Sequence, residues 1–281
     1  MKMEPRKEFL VCVDSDGCAM DTMDIKHFQC FGPHMIEEWG LEQWREPLLA
    51  RWNQINLYSA TRGINRFKAL VLLLKEIDFS YCPVPGLAAL ENWTANTKEL
   101  SNAALEAAIQ QEKGDASAMG HALSWSEKVN RSISALPEEA KRVFPGVLEA
   151  LEAARQQADI AVVSSANRQA VEEEWKRCGM LSAVNQICAQ DSGSKAHCIE
   201  KLLQLGYSAW KTVMVGDAPG DLSAARSAGV FFFPILVKKE GESWESFRRE
   251  GLARLTTGSF AGGYQQRLIR EFEENLQKPQ P

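Results

Sequence analysis

The chain has 281 residues, of which 45% are hydrophobic and 25% are charged. These values are ordinary for a globular protein, and they exclude a disordered or fibrous chain. The 32 basic and 37 acidic residues give a formal net charge of −5, which argues against a protein that binds nucleic acid through bulk electrostatics. A chain of this length can form one large or two modest domains and bury a core without disulfides.

The sequence lacks the features of membrane and secreted proteins. No apolar run approaches the length of about 20 residues that a membrane span needs. The first eight residues are of mixed charge, without the long apolar region of a signal peptide. The seven cysteines contain no CxxC pair, so we expect reduced thiols rather than a disulfide framework or a zinc site. We therefore predict a cytoplasmic protein with no membrane association.

The predicted elements begin with a buried strand at Phe9–Val13 that ends in a polar turn. From about residue 22 to 142 the apolar residues recur at helical spacing and strand-like runs are absent. Short strands and helices then alternate along the chain. The later strands are predicted at 160–163, 184–188, 212–215 and 230–236, and the helices at 148–157, 169–178, 195–205 and 222–227.

This alternation is typical of βαβ units, which form a parallel sheet with helices on both faces. We predict an α/β fold with a Rossmann-like, doubly wound parallel sheet, into which an all-helical domain is inserted after the first strand. The α/β core comprises residues 1–21 and 143–281, and the inserted domain comprises residues 22–142. Residues from about 264 are amphipathic and charged, residues 278–281 are expected to fray, and the role of residues 238–281 stays open.

Polar residues follow three of the predicted strands at the point where each strand ends. Asp14 and Asp16 follow the first strand, Ser164 follows a later one, and Asp217 and Asp221 follow another. In open parallel sheets, ligands bind in the crevice beyond the carboxyl ends of the strands. We therefore expect these side chains to meet at one site.

Crowded carboxylates stay ionised together only when a cation neutralises them, and Mg²⁺ prefers carboxylate, phosphate and water oxygens. A carboxylate can attack a phosphoryl group to form an aspartyl phosphate. Lys195, at a predicted helix start, and a serine hydroxyl can stabilise the phosphoryl oxygens. A second carboxyl two residues along projects to the same side of a strand, where it can protonate the leaving group and then activate water. The set is suited to Mg²⁺-dependent phosphoryl chemistry.

In their order along the chain, four segments resemble the motifs of the haloacid dehalogenase-like superfamily of phosphatases and phosphomutases. The first motif is residues 11–17 (VCVDSDG), and residues 18–22 (CAMDT) continue it as in β-phosphoglucomutase-like and phosphoglycolate phosphatase-like members. The others are residues 160–164 (IAVVS), residues 194–195 (SK) and residues 216–221 (GDAPGD). One such motif is weak evidence, whereas four in order are strong. The helical insertion resembles the cap domain of this family.

The resemblance implies roles for the four acids. Asp14 would be the nucleophile and a Mg²⁺ ligand. Asp16 would be the general acid and base, and its main-chain carbonyl would also bind the metal. Asp217 would bind the metal, and Asp221 would support either the metal or Lys195.

The remaining roles concern the substrate. Ser164 and Lys195 would bind the phosphoryl group, with Ser165 as the alternative to Ser164. Asn167 either faces the substrate or caps the following helix.

Arg62 and Arg66 in the inserted domain lie four residues apart, so they could share one helix face that matches an anionic substrate. The alternative for both is a solvated position beside an apolar stripe.

We expect a phosphatase that hydrolyses a small phosphorylated metabolite through an aspartyl phosphate, with Mg²⁺ as cofactor. A phosphomutase of the β-phosphoglucomutase type and a non-catalytic binding protein on the same fold are the open alternatives. A dehalogenase would not need Asp16, and a phosphonate hydrolase would need a cap lysine, for which Lys26 is the candidate. The substrate and the oligomeric state stay open.

Overall fold

In a computed structural model, which describes residues 4–277, the chain divides into two units. Of the described residues, one unit comprises 4–23 and 138–277 and is built around a parallel β-sheet, and the other comprises 24–137 and is helical. Residues 278–281, which we expected to fray, lie outside the described residues.

The strands are β1 (Phe9–Val13), β2 (Met20–Asp21), β3 (Arg142–Val143), β4 (Ala158–Val163), β5 (Gln186–Cys188), β6 (Thr212–Gly216) and β7 (Phe231–Pro234). Five of them form a sheet in the order β5-β4-β1-β6-β7, and β2 pairs with β3 in a separate antiparallel pair. All four pairings within the larger sheet are parallel. The predicted α/β fold is confirmed.

The central strands are parallel because their sequences suit burial on both faces. β4 (ADIAVV) and β6 (TVMVG) are buried at every residue, without the polar alternation of a half-exposed strand. β1 lies between them, and Val13 is opposite both Val162 and Val215. This register brings the last residues of three neighbouring strands to one edge of the sheet.

The α-helices of the described residues are α1 (Met23–Lys26), α2 (Gly32–Trp39), α3 (Arg45–Leu57), α4 (Arg66–Ser80), α5 (Leu87–Asn96), α6 (Asn102–Gln111), α7 (Ser117–Ser134), α8 (Val147–Gln157), α9 (Arg168–Arg177), α10 (Lys195–Leu203), α11 (Pro219–Ala228), α12 (Glu240–Ser246), α13 (Leu252–Thr256) and α14 (Gly263–Gln277). Within residues 4–277, none of the helices has both the length and the apolar character that crossing a bilayer requires.

The helical unit has a core of its own, rich in aromatic side chains. Trp52, Trp125 and Phe67 are buried, and the rings of the two tryptophans meet edge to face with their centroids 5.7 Å apart. Such aromatic pairs stabilise a core beyond their buried area. The helical periodicity of the sequence therefore reflects a separate apolar core in this unit.

The chain beyond β7 covers the edge of the sheet with α14. Gln265 accepts a hydrogen bond from the N–H of Phe232 and donates one to its carbonyl, each at 2.8 Å. Asn275 accepts from the N–H of Val237 at 3.0 Å, and Phe272 packs edge to face on Phe232. These side chains pair backbone groups that an edge strand would otherwise leave exposed.

Candidate active site

Three predicted site residues each follow a strand of the sheet directly. Asp14 follows β1, Ser164 follows β4 and Asp217 follows β6. The N–H of Asp14 donates to the Val215 carbonyl at 3.0 Å, and that of Ser164 donates to the Cys188 carbonyl at 2.9 Å. The hydrogen bonds of the sheet therefore continue to Asp14 and Ser164 and fix the backbone positions from which their side chains extend.

Three carboxylates gather at this edge. Oxygen atoms of Asp14, Asp217 and Asp221 all lie within 4.8 Å of one another, and the three residues are buried. Asp221 is near the start of α11, where one of its oxygens accepts the N–H of Ala218 at 3.0 Å. This position suits a carboxylate, because a helix N-terminus favours negative charge.

Gly216 makes room for the carboxylate of Asp221. A Cβ atom on Gly216 would lie 2.4 Å from the Asp221 side chain, which is itself fully buried. Real Cβ atoms do not approach so closely, so any other residue would displace the acid. The glycine of the GDxxxD motif therefore has a steric role that we did not assign from the sequence.

Lys195 joins two of the acids. Its Nζ atom lies 2.8 Å from Asp14 Oδ2 and donates to Asp221 Oδ1 at 2.6 Å. Lys195 is the first residue of α10, and the preceding Ser194 caps that helix by accepting the N–H of His197 at 3.3 Å. The cap fixes the start of the helix and therefore the position of the backbone from which the Lys195 side chain extends.

Three buried carboxylates gather at this site, and the Lys195 ammonium group contacts two of them, Asp14 and Asp221. Burial raises the pKa of Asp14 to about 7, Lys195 opposes this rise and Asp221 adds to it. Burial also raises the pKa of Asp221. Burial alone would lower the pKa of Lys195, but the two acids hold it above its ordinary value. A divalent cation that prefers oxygen ligands fits this donor set and would balance its charge.

Asp16 is not among the described carboxylates of this group. β1 ends at Val13 and the chain then turns, with Gly17 at a φ of +80°. Strand alternation therefore does not extend to Asp16, and our reason for placing Asp14 and Asp16 on one side was wrong. The Asp16 carboxylate is partly exposed and accepts a hydrogen bond from the Thr22 hydroxyl at 2.5 Å. Its role as general acid and base stays a prediction.

The residues after β4 take distinct positions. Ser164 is buried, and its hydroxyl accepts the N–H of Ala166 at 3.2 Å, whereas Ser165 is exposed. Asn167 caps α9, accepting the N–H of Ala170 at 3.3 Å. This contact is the capping alternative that the sequence left open for Asn167.

The two arginines of the helical unit do not share a helix face, so that prediction was wrong. Arg62 lies in a turn before α4, and its guanidinium donates to the Leu57 carbonyl at 2.8 Å. Arg66 opens α4 and donates to the Ser126 hydroxyl at 3.0 Å and to the Asn130 side chain at 2.7 Å. The turn at Thr61–Gly63 separates the two side chains, because it interrupts the helical spacing.

The comparisons with known proteins agree with this fold. Residues 91–235, just over half of the 281-residue chain, match the model of the haloacid dehalogenase-like hydrolase family. A comparison with curated proteins gave no match. A solved structure of a candidate phosphoglycolate phosphatase from Lactobacillus delbrueckii subsp. bulgaricus is similar, with a TM-score of 0.51 and 16% identity over 80% of this chain and 85% of that one.

Two further solved structures have lower scores. A haloacid dehalogenase-like family hydrolase from Streptococcus pneumoniae has a TM-score of 0.48 and 13% identity, covering 80% of this chain and 83% of its own. A candidate β-phosphoglucomutase from Thermotoga maritima has a TM-score of 0.47 and 17% identity, covering 80% and 84%.

The sheet and its acidic edge define an α/β protein with a group of buried acids beyond the carboxyl ends of its strands, the edge at which open parallel sheets bind ligands. The family match makes this specific: the chain belongs to the haloacid dehalogenase-like hydrolase family, as the four motifs predicted. The matched region contains Ser164, Lys195, Asp217 and Asp221 but begins after Asp14. Asp14 lies close to these residues in space: its carboxylate is 2.8 Å from the Lys195 ammonium group and within 4.8 Å of the carboxylates of Asp217 and Asp221.

Proposed function

We propose that the protein is a Mg²⁺-dependent phosphatase that hydrolyses a small phosphorylated metabolite through an aspartyl phosphate on Asp14. The observation that carries this proposal is the buried group in which Asp14, Asp217 and Asp221 lie together and Lys195 contacts two of them. A cytoplasmic location is part of the same proposal.

The metal would be held by Asp14 and Asp217, with Asp221 close by and the main-chain carbonyl of Asp16 as a further ligand. When bound, Mg²⁺ supplies positive charge that draws electron density from the phosphoryl oxygens. The fit rests on the donor set, because the three buried carboxylates offer the oxygen ligands that Mg²⁺ selects.

The chain's own residues then divide the reaction into two steps. The Asp14 carboxylate attacks phosphorus and the bond to the leaving oxygen breaks, while Asp16 gives that oxygen a proton. Asp16 next takes a proton from water, which attacks the phosphorus of the aspartyl phosphate. Phosphate leaves and the Asp14 carboxylate is regenerated.

Lys195 and Ser164 would stabilise the charge on the transferring phosphoryl group. Lys195 suits this role because its two acid partners keep it protonated, and it already lies 2.8 Å from the proposed nucleophile. Ser164 suits it because the backbone holds its buried hydroxyl at the end of β4. The hydrogen bond from Thr22 would hold the Asp16 carboxyl in one orientation.

Substrate recognition by the helical unit is proposed for Arg66 and Arg62. Burial lowers the pKa of Arg66 to about 10, which still leaves the guanidinium charged near neutral pH. Arg62 is buried and Arg66 partly buried, so both side chains are held in place. A fixed guanidinium is suited to bind a carboxylate or a second phosphate on the substrate. Asn167 is proposed only as a supporting contact, since it already caps α9.

Turnover of p-nitrophenyl phosphate tests the proposed function. We expect phosphate release in Mg²⁺ buffer. In EDTA the rate should fall at least about 100-fold, because without the cation the acids repel one another and the phosphate. The rate should recover when Mg²⁺ is restored. A panel of phosphorylated metabolites would identify the substrate class. Full activity in EDTA would contradict the metal site, and conversion of a sugar phosphate into its isomer would identify a mutase instead.

A further inference from the structure

Two indole groups hold the loop that carries Asp14 and Asp16. This loop, residues 14–19, is here called the motif-one loop. The Nε1 atom of Trp175 donates to the Ser15 hydroxyl at 2.9 Å, and that of Trp244 donates to the Cys18 carbonyl at 2.9 Å. Both tryptophans are fully buried. The motif-one loop is therefore fixed by side chains that come from distant parts of the chain.

Trp244 comes from a part of the chain that lies outside the family match, which ends at residue 235. It belongs to α12, the first helix after β7. The ring of Phe247 packs against it edge to face, with the centroids 5.9 Å apart. We call residues 236–277 the C-terminal segment. No motif marks this tryptophan, so the sequence alone predicts no role for it.

The contact at Cys18 is coupled to the position of Asp14. The Val215 carbonyl accepts the backbone N–H of Asp14 at 3.0 Å and also lies 3.5 Å from the Cys18 thiol. The Ser15 carbonyl accepts the N–H groups of Cys18 and Ala19 at 3.3 and 3.0 Å. A shift of Cys18 would therefore be passed to the residue next to Asp14 and to the hydrogen-bond acceptor that Asp14 itself uses.

We propose that the C-terminal segment positions the active site, and that Trp244 is the positioning residue through which it acts. This inference rests on the proposed function, because it assigns Trp244 to the step in which Asp14 attacks phosphorus. Trp244 does not touch the reacting atoms. It keeps the motif-one loop in the geometry that in-line attack requires, and a displacement of about 1 Å in such a geometry can cost about 100-fold in rate.

The test is Trp244→Phe, which keeps an aromatic ring but removes the N–H donor. We expect kcat for p-nitrophenyl phosphate to fall about tenfold while KM stays within about twofold. This split is expected because Lys195 and Ser164, the groups proposed to bind the phosphoryl group, lie outside the motif-one loop. Amide hydrogen exchange of residues 14–20 is expected to become about tenfold faster.

The matched control is Phe272→Leu in the same C-terminal segment. Phe272 is buried against Phe232, far along the chain from Trp244, and its loss weakens the segment without removing a contact to the loop. We expect kcat and the exchange of residues 14–20 to stay at wild-type values in this variant. Equal changes in both variants, or none in Trp244→Phe, would overturn the proposal.

A second variant covers the case in which Trp244→Phe does not fold. Phe247→Leu keeps the indole donor and removes the ring packed against it, and a smaller decrease in kcat with faster loop exchange is expected. Unchanged loop exchange in a folded Phe247→Leu would then overturn the proposal. The exchange measurement needs no substrate. If the wild-type protein shows no phosphatase activity, the proposed function is refuted. The exchange measurement then still decides whether Trp244 positions the motif-one loop.

Discussion

Asp14→Asn is expected to lower turnover of p-nitrophenyl phosphate by at least about 10³-fold, since a neutral amide cannot act as the nucleophile. The fold should survive, because the amide has the same shape and the substitution removes a buried charge. Burial already raises the pKa of this carboxyl to about 7, because removal from water disfavours its ionised form. We expect the Tm to stay within about 3 °C of wild type.

Asp159→Asn is the matched control for this variant. Asp159 is buried in the same unit, where it accepts the Tyr207 hydroxyl at 2.6 Å and the N–H groups of Arg6 and Lys7. It lies at the opposite end of β4 from Ser164. Its substitution should leave kcat unchanged. Asp14→Asn with more than about a tenth of wild-type turnover would refute Asp14 as the nucleophile.

Lys195→Met is expected to lower both activity and stability. The substitution leaves Asp14 and Asp221 buried without the ammonium group that contacts them. Breaking a buried ion pair by removing one partner costs about 3–5 kcal/mol, which corresponds to a decrease in Tm of roughly 5–15 °C in metal-free buffer. Turnover should fall about 10³-fold, because the phosphoryl charge also loses its cation.

Mg²⁺ should restore part of the lost Tm in Lys195→Met, because it supplies positive charge to the same acids. Lys211→Met is the matched control, since the Lys211 ammonium pairs with Glu8 at an exposed position. An exposed pair of this kind contributes little, so the Tm should change by less than about 2 °C. Differential scanning fluorimetry of both variants is the measurement. A wild-type Tm in Lys195→Met would contradict the proposed charge arrangement.

The sheet could be predicted because its strands are short apolar runs bounded by turn residues, and such runs depend little on distant contacts. The same logic predicted where β1, β4 and β6 end, and therefore which polar residues lie at the carboxyl edge. The observed strands differ from the predicted ones by a few residues. The largest difference is at β7, which spans Phe231–Pro234 rather than 230–236. The N–H of Leu236 donates to the Ser243 hydroxyl at 3.0 Å and not to the neighbouring strand.

The parts that the sequence did not predict depend on chain direction and on long-range packing. Asp16 lies in a turn, so its spacing of two residues from Asp14 does not indicate that the two side chains point to the same side of the sheet. Arg62 precedes α4 rather than belonging to it, so its spacing from Arg66 was not helical. Trp244 meets the motif-one loop across 226 residues of sequence, a contact that no local pattern encodes.

Calorimetric titration of Mg²⁺ into wild type and Asp217→Asn tests directly whether the buried acids form one divalent-cation site. We expect one Mg²⁺ per wild-type chain and an affinity at least about tenfold weaker in Asp217→Asn, because that substitution removes a proposed ligand. Asp159→Asn should bind as wild type does. No Mg²⁺ binding by the wild-type protein, or equal affinity in Asp217→Asn, would contradict the proposed cation site.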